Sequence, residues 1–447
     1  MALGASAGEA QIVDPAQAAS GEAGFVARAE AIVARFVVND LFAGAVLVAQ
    51  AGVPLLRQAF GLANREWNIA HRPSGKFRLG SLTKQFTATA ILQLMEQGKL
   101  ALDDEVARFL PQAPPAWRGV SLFHLLTHTS GIPSYTSLPG FFAQQARLDR
   151  TPDEIIALTQ EAPLHFAPGT RFKYNNTGYI LLGRVIEAVS RQSYEDYLKA
   201  HILVPLGLAE TGYDHDEMVL SERVPGYRYE DGAFKNAAFL AMSVPYAAGS
   251  IYSTLDDLCR WQRALSAAKP IGAASAALMF ADHGHGYGFA WGIQQQFGHR
   301  HFVHAGGING FSVVISLYPD EDLLIVALAN IQGAPVQKLA HDLAAEFFGL
   351  HEDEPTVVLD PALLADYVGD YRLDGGQVLR VSQEGARLYL ASAMRPACEL
   401  VAESDHAFLS PLLGLRVSFE ADGVEQANRM ILIEEGREVI AQRVGAE

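Results

Sequence analysis

The sequence predicts an α+β fold in which helices flank an antiparallel sheet and a small all-β unit follows. Three observations predict it: an apolar pattern at helical spacing near the start, apolar β-branched runs at both ends of the first 350 residues, and short alternating runs separated by glycine turns in the last 90. We expect a helix at residues 24–39, strands at 44–50, 55–61, 303, 311–318 and 323–330, and a closing helix at 336–347.

A mostly helical insertion is expected between the two groups of strands. Residues 81–97 place Phe86, Ile91 and Met95 on one side of a helix, with Gly98 as its stop signal. Further helical segments extend to about residue 206 and are interrupted by prolines. This insertion should form a lobe beside the sheet.

Four segments are predicted from changes in composition. Residues 1–22, rich in Ala, Gly and Ser, form a flexible head or the start of a mature exported chain, and they lack the features of an intact signal peptide. The second segment, 23–350, holds the sheet and lobe, and the acidic stretch 351–358 is a linker. Residues 359–447 form the all-β unit, a sandwich or a barrel.

Composition limits the function classes. The formal net charge of −16 works against binding to nucleic acid or to anionic membranes. No run reaches the ~18 consecutive apolar residues that a membrane span needs. Cys259 and Cys398 lie far apart and are expected to be buried, inert thiols rather than a disulfide.

Ser81 and Lys84 form the first candidate catalytic pair. Ser81 follows Gly80 and opens the predicted helix, so its backbone N–H lies at the positive end of the helix dipole. Lys84 is three residues further along and shares its helical face. In a water-poor cleft the neutral amine is favoured and can accept the serine proton.

Two later motifs complete the candidate site. Tyr174 and Asn176 lie on a loop at a helix mouth, where a neighbouring lysine would lower the phenol pKa enough for a proton shuttle. His304, Gly306 and Gly307 follow a strand, and glycines there let a substrate backbone approach closely. We expect the N–H of Gly307 to join that of Ser81 as the second oxyanion donor.

In this order, the three motifs resemble those of the penicillin-recognising serine hydrolases: Ser81-Leu-Thr-Lys84, Tyr174-Asn-Asn176 and His304-Ala-Gly306. That family includes class C β-lactamases, D-Ala-D-Ala carboxypeptidases, D-aminopeptidases and β-lactamase-like esterases. The resemblance covers about residues 25–348, with further similar stretches at 125–132, 247–253 and 287–292. It implies a β-lactamase/transpeptidase-like fold, with the cleft between sheet and lobe, and the last unit is similar to lipocalin-like domains of several members.

The resemblance implies an acyl-enzyme on Ser81, with Lys84 as base, Tyr174 as proton shuttle and Asn176 positioning Lys84. His304 would hydrogen-bond Tyr174 or the substrate. The family's β-lactamases usually carry Lys-Thr-Gly at the third motif, and histidine in that place weakens the case for binding a β-lactam carboxylate. The expected substrates are therefore small peptides or amides, including D-residue ones, then esters, then β-lactams.

Other interpretations stay open at this stage. Esterase or transesterase activity, weak β-lactamase activity, and a non-catalytic binding or assembly role are the alternatives, and the chain could form a homo-oligomer. The resemblance to the family implies a periplasmic or secreted protein if a signal peptide has been removed, and a cytoplasmic one otherwise. No cofactor or metal site is expected, since the histidines around 299–304 lack a carboxylate at ligand spacing. Tyr135 and Tyr246 could line the substrate cleft, although such aromatics are usually core.

Overall fold

The computed structural model describes residues 15–350, 357–420, 427–434 and 437–445. Of the predicted head, residues 1–14 lie outside the described residues, and an α-helix, Pro15–Val38, begins directly after them. Most of the predicted linker, 351–356, also lies outside them. The predicted domain limits therefore stay a prediction, while the α+β class with an all-β C-terminal unit is confirmed.

A six-stranded antiparallel sheet forms the centre of the first unit. Its spatial order is Gly292–Gln296, His299–Ile308, Phe311–Tyr318, Leu323–Ala329, Gly44–Gln50 and Val53–Phe60. Every residue of Leu323–Ala329 is buried, because side chains of a central strand alternate between two covered faces.

The two faces of the sheet contact different partners. Leu47, Val313 and Val326 point into the core shared with the helical lobe. Val46, Val314 and Ile325 point to the opposite face, against the N-terminal helix and the closing helix, Val336–Phe347. The period of two along each strand thus divides the first unit into two cores.

The insertion between the strands is helical, as predicted, but it also contains short strands. Its α-helices are Thr83–Glu96, Leu122–Leu126, Phe141–Gln144, Pro152–Gln160, Asn176–Ser190, Tyr194–Leu198, Tyr246–Gly249, Leu255–Ser266 and Ala273–Met279, with a π-helical turn at Lys199–Leu203 and 3₁₀ turns at Gly80–Leu82, Val106–Arg108, Pro115–Trp117 and Tyr135–Ser137. The short strands of the insertion are Leu62–Asn64, Ile69–Ala70, Phe77–Arg78, Gly212–Tyr213, Tyr227–Glu230, Ala233–Asn236 and Ile251–Ser253. One more short strand, Ile331–Gln332, follows the sheet and pairs with Tyr227–Glu230.

The helix Thr83–Glu96, called here the nucleophile helix, runs through the middle of the first unit. Its residues from Thr83 to Leu92 are all buried, the polar ones included. Phe86 stacks on Trp261 with ring centroids 4.2 Å apart. A helix covered on every side is held in place by its neighbours, so the residues at its start have fixed positions.

The C-terminal unit is a closed antiparallel barrel of eight strands. The strands are Gly369–Leu373, Val378–Glu384, Arg387–Ser392, Arg395–Ala402, Ala407–Ser410, Leu415–Glu420, Arg429–Glu434 and Arg437–Arg443, after short helical turns at Pro361–Leu364 and Ala365–Tyr367. The first and last strands pair, with Tyr371 opposite Arg443. Closure leaves no exposed sheet edge, and it decides between the sandwich and the barrel that the sequence left open.

Candidate active site

Ser81 lies in a tight turn ahead of the nucleophile helix. Gly80, Ser81 and Leu82 form the 3₁₀ turn, and the α-helix begins at Thr83, two residues later than predicted. Gly80 has φ +51°, and a Cβ there would lie 2.8 Å from the carbonyl oxygen of Gly307. A glycine is therefore required for the turn to approach the histidine strand, His299–Ile308.

The amine of Lys84 lies among three oxygen atoms, one of which is the hydroxyl oxygen of Ser81. Its Nζ lies 3.0 Å from Ser81 Oγ, 2.8 Å from Asn176 Oδ1 and 3.0 Å from the carbonyl oxygen of Ala248. The last two can only accept, so each takes one N–H of the amine. In a neutral amine, the lone pair then faces the Ser81 hydroxyl.

Burial favours this neutral form. Lys84 is 0% exposed, and no carboxylate is among its hydrogen-bond partners in the described part of the chain. Burial lowers the pKa of the Lys84 ammonium well below its ordinary value, because a charge in a water-poor interior loses its hydration. Lys84 therefore has the position and the protonation state that a base needs.

Tyr174 lies over Lys84, directly before the helix Asn176–Ser190 that Asn175 caps. The Lys84 Nζ is 4.9 Å from the Tyr174 ring centroid. Tyr174 is 38% exposed, yet burial against its neighbours raises the phenol pKa, while the Ser81 hydroxyl acts in the opposite direction. The sequence-based expectation that lysine lowers this pKa is not met, since a neutral amine stabilises no phenolate.

Asn176 connects Lys84 to the neighbouring loop. Its Nδ2 donates to Thr136 Oγ1 at 3.0 Å, and its backbone N–H donates to Ser134 Oγ at 3.1 Å. These bonds orient the side chain so that Oδ1 faces Lys84.

The histidine strand presents a free edge beside Ser81. The neighbouring strand, Gly292–Gln296, pairs with it only as far as Val303, so the part from His304 to Ile308 pairs on one side alone. A Cβ on Gly306 would lie 2.0 Å from the carbonyl oxygen of Leu79, whereas one on Gly307 would meet nothing within 4 Å. Gly306 permits the close approach of the two segments, and Gly307 borders open space.

His304 contacts a different partner from the one expected. Its Nε2 lies 3.0 Å from the hydroxyl oxygen of Tyr287, while its ring centroid is 6.4 Å from that of Tyr174. Burial and the nearby Lys84 lower the pKa of His304 to about 3, against an opposing effect of the Ala305 backbone. His304 is thus a neutral ring.

Tyr135 and Tyr246 are buried in the core. They are 3% and 6% exposed, and neither contributes to the pocket beside Ser81. That pocket has a volume of about 340 Å³ and is lined by Ser81, Tyr174, Tyr287, Gly292, Val303, His304, Ala305 and Gln337. Their placement does not support direct contact of either tyrosine with a substrate.

A larger cavity of about 1170 Å³ adjoins this pocket, since Val303 and Gln337 line both. Its walls include the closing helix and the barrel residues Leu412 and Arg416. None of the predicted catalytic residues lines it, so the chemistry is to be sought in the smaller pocket.

Tyr287 and His128 contribute to the site although the sequence did not single them out as functional. The Tyr287 hydroxyl oxygen lies 3.2 Å from His128 Nε2 and 3.0 Å from His304 Nε2. Tyr287 and His128 both lie in stretches that resemble the family outside its three motifs, and this was the available signal.

The histidines near the third motif do not converge. His299 pairs with Glu321 at 2.6 Å, and His301 Nε2 lies 2.6 Å from Ser316 Oγ. Within the described ranges, no group of three or more metal-binding side chains occurs. Among the described helices, none has the length and apolar character to cross a bilayer.

Comparison with known proteins identifies relatives of both units. A family model described as Beta-lactamase matches residues 29–347. Penicillin-binding protein 4* of Bacillus subtilis (strain 168) is 31% identical over 434 residues, covering 90% of this chain and 95% of the relative.

Two solved structures are similar as well. The octameric penicillin-binding protein homologue from Pyrococcus abyssi has a TM-score of 0.69 and 26% identity, covering 93% of this chain and 100% of that one. A D-stereospecific amidohydrolase from Streptomyces sp. has a TM-score of 0.61 and 27% identity, covering 70% of this chain and 96% of that one.

Proposed function

The chain belongs to the beta-lactamase family of serine hydrolases, and we propose that it cleaves amide bonds of small peptide-like substrates through an acyl-enzyme on Ser81. One observation carries the proposal. Among the described residues no carboxylate contacts the buried Lys84, and two obligate acceptors take its N–H groups, so its lone pair faces Ser81 Oγ at 3.0 Å.

Acylation begins when Ser81 Oγ attacks the substrate carbonyl carbon and its proton passes to Lys84 Nζ. The carbonyl oxygen becomes an oxyanion, for which the N–H groups of Ser81 and Gly307 are the proposed donors. Tyr174 gives its proton to the leaving nitrogen and recovers one from Lys84. The C–N bond breaks, leaving an ester on Ser81.

Deacylation repeats these transfers with water. The attacking water gives a proton to Tyr174 as Tyr174 passes its own proton to Lys84. A second oxyanion then forms and collapses, and the proton on Lys84 returns to Ser81 Oγ as the acid leaves. The raised pKa of Tyr174 suits this role, because a phenol that stays protonated between steps is ready to donate.

Peptide-like substrates fit the free edge of the histidine strand. Backbone groups between His304 and Ile308 lack a partner strand on that side, and an extended substrate can pair there. The similar D-stereospecific amidohydrolase from Streptomyces sp. supports amides, D-residue ones included. The neutral His304 in place of a permanent charge supports placing β-lactams last.

Labelling of Ser81 tests the proposal. A fluorophosphonate should modify Ser81, as mapped by mass spectrometry, and Ser81→Ala and Lys84→Ala should each remove nearly all turnover of an activated ester while circular dichroism stays unchanged. Turnover retained in Ser81→Ala would refute the acyl-enzyme, and an unlabelled Ser81 would favour a non-catalytic binding role.

A parallel assay orders the substrates. A D-amino-acid anilide, a short-chain aryl ester and a chromogenic cephalosporin should be turned over with the anilide preferred over the cephalosporin. Fastest turnover of the cephalosporin would reverse the proposed order.

Self-association is also proposed. The similar homologue from Pyrococcus abyssi is described as octameric and matches 93% of this chain, barrel included. Light scattering coupled to size-exclusion chromatography should give a mass above the 48.3 kDa of one chain. A monomeric mass would contradict this part of the proposal.

A further inference from the structure

His128 is fixed in one protonation state by the backbone. It is 1% exposed, and the backbone N–H of Asn175 donates to its Nδ1 at 3.1 Å. An N–H group can only donate, so Nδ1 accepts and carries no proton. His128 is therefore a neutral ring with its proton on Nε2, and burial, first among the causes, lowers its pKa well below the ordinary value against an opposing effect of the Asn175 backbone.

The direction of the next two hydrogen bonds follows from the first. His128 Nε2 lies 3.2 Å from the Tyr287 hydroxyl oxygen and donates to it. Tyr287 then donates its own proton to His304 Nε2, 3.0 Å away. If His304 Nε2 donated to Tyr287 instead, both the Tyr287 proton and His304 Nδ1 would lack a partner. With Tyr287 as the donor, only the proton on His304 Nδ1 lacks one, since Nδ1 is buried and makes no hydrogen bond of normal geometry among the described residues.

The chain from Asn175 N–H through His128 and Tyr287 to His304, called here the relay, ends at the pocket. Burial and Lys84 keep His304 uncharged, and its Nε2 is already occupied. The described residues that line the pocket carry no permanent charge, and Lys84, which hydrogen-bonds Ser81, is buried with its neutral form favoured. A carboxylate entering this pocket would lose its hydration without gaining a cationic partner.

We propose that His128 and Tyr287 are positioning residues that keep Nε2 of the neutral His304 occupied as an acceptor, so that the site selects substrates carrying no carboxylate beside the scissile bond. This inference rests on the proposed acyl-enzyme function and narrows its substrate class to neutral carboxamides and uncharged esters. A dipeptide with a free C-terminal carboxylate would be a poor substrate, and the same dipeptide with a C-terminal carboxamide would be a good one.

A matched pair of substrates tests the selection. An N-acyl-D-Ala–D-Ala dipeptide and its C-terminal carboxamide differ only in the carboxylate next to the scissile bond. The native enzyme should favour the carboxamide in kcat/KM by about tenfold or more, the factor expected for one charge-assisted hydrogen bond that cannot form. Equal turnover of the pair, or a preference for the carboxylate, would overturn the inference.

Two substitutions separate positioning from mere support of the fold. Tyr287→Phe removes the donor to His304 Nε2, so the neutral ring can carry its proton on Nε2 and donate it to a carboxylate. The preference for the carboxamide should therefore narrow by a similar factor at pH 8 and at pH 5.5, since burial and Lys84 still lower the pKa of His304. His304→Arg supplies a permanent cation and should narrow the preference at all pH values. The titratable groups around His304 are Lys84, Tyr174, Tyr287 and, through Tyr287, His128.

Tyr179→Phe is the matched control. Tyr179 is also a buried tyrosine that packs on His128, with ring centroids 5.2 Å apart, but its hydroxyl bonds the Leu126 carbonyl outside the relay. The Tyr179→Phe variant should therefore prefer the carboxamide over the carboxylate by the same factor as the native enzyme. A preference that is unchanged in Tyr287→Phe across the pH range, or that narrows equally in Tyr179→Phe, would show that the relay only supports the fold.

An uncharged aryl ester distinguishes the two levels of proposal. Ester turnover that depends on Ser81 reports the acyl-enzyme function alone. If the ester is not cleaved, the proposed function itself fails. If the ester is cleaved and the dipeptide pair reacts equally, only the selection against carboxylates fails.

Discussion

Replacing Asn176 by aspartate places a negative charge beside Lys84 with almost no change of shape. At the 2.8 Å between Nζ and Oδ1, two unit charges attract by about 6 kcal/mol in an effective dielectric of ~20. Burial of the new carboxylate offsets part of this, and an opposite charge at such a distance typically raises a lysine pKa by about two pH units, or ~2.7 kcal/mol. Lys84 would then hold its proton and could not accept that of Ser81.

The pH profile of kcat/KM measures this effect. The base must be neutral, so activity rises with pH through the pKa of Lys84, and below both pKa values Asn176→Asp should be about 100-fold slower than the native enzyme. The variant should recover as pH rises, in an aryl-ester assay from pH 5.5 to 9.5 corrected for spontaneous hydrolysis. Asn176→Ala is the control, because it removes the same acceptor without adding charge and should slow the reaction without moving the acid limb upward. An acid limb that stays in place or moves to lower pH in Asn176→Asp would show that Lys84 is not the titrating base.

Three further outcomes are expected. Lys84→Met should raise the free energy of unfolding, and by more at pH 7 than at pH 9.5. A lysine whose pKa is depressed in the folded state destabilises the fold by about 1.4 kcal/mol for each pH unit below its unfolded pKa, until the pH reaches its folded pKa. An equal gain at both pH values, measured by urea unfolding, would contradict this. Gly306→Ala should lower the free energy of unfolding by about 1–3 kcal/mol and remove most ester turnover, since its Cβ would overlap the Leu79 carbonyl oxygen. The control Gly307→Ala should keep the native unfolding midpoint. Equal stability of the two variants would argue against the close approach of Gly306 to Leu79. Neither Cys259 nor Cys398 should react with a thiol reagent in the native protein, since both are buried and burial raises the pKa of the Cys398 thiol to about 11; rapid labelling before unfolding would refute this.

Sequence patterns predicted those features that depend on neighbours along the chain. The closing helix has the predicted bounds, and the strands Phe311–Tyr318, Arg387–Ser392 and Leu415–Glu420 coincide with their alternating runs. The spacing of Ser81 and Lys84 likewise predicted that the two side chains would meet, and they lie within hydrogen-bond distance.

Features set by tertiary packing were not predictable in the same way. The strand Arg395–Ala402 was missed because Pro396 and the charged residues beside it conceal its alternation. The nucleophile helix begins late because the turn at Gly80 must approach Gly307, which is far away in sequence. The two tyrosines expected to line the cleft, Tyr135 and Tyr246, were judged by residue type, and packing places them in the core.

The relay shows why the identity of residue 304 alone was an incomplete guide. The sequence indicated that histidine replaces a permanent charge, but a histidine can also be a cation or a donor. The tautomer of this neutral ring, with Nε2 as the acceptor, follows from a single backbone N–H at Asn175, transmitted through His128 and Tyr287. No pattern in the sequence connects these residues, because they come from a loop of the lobe, a turn and a strand.

A neutral His304 also changes what keeps Lys84 unprotonated. A lysine at position 304 would repel the proton on Lys84, whereas a neutral histidine leaves burial as the cause that lowers the Lys84 pKa. Water entering the pocket would weaken that effect, and a substrate that displaces water would strengthen it. The base should therefore become more effective when an uncharged substrate fills the pocket, and less effective when a carboxylate brings both water and negative charge toward Lys84. Catalysis and the selection against carboxylates thus depend on the same property of the site, the absence of fixed charge around Ser81 among its described residues.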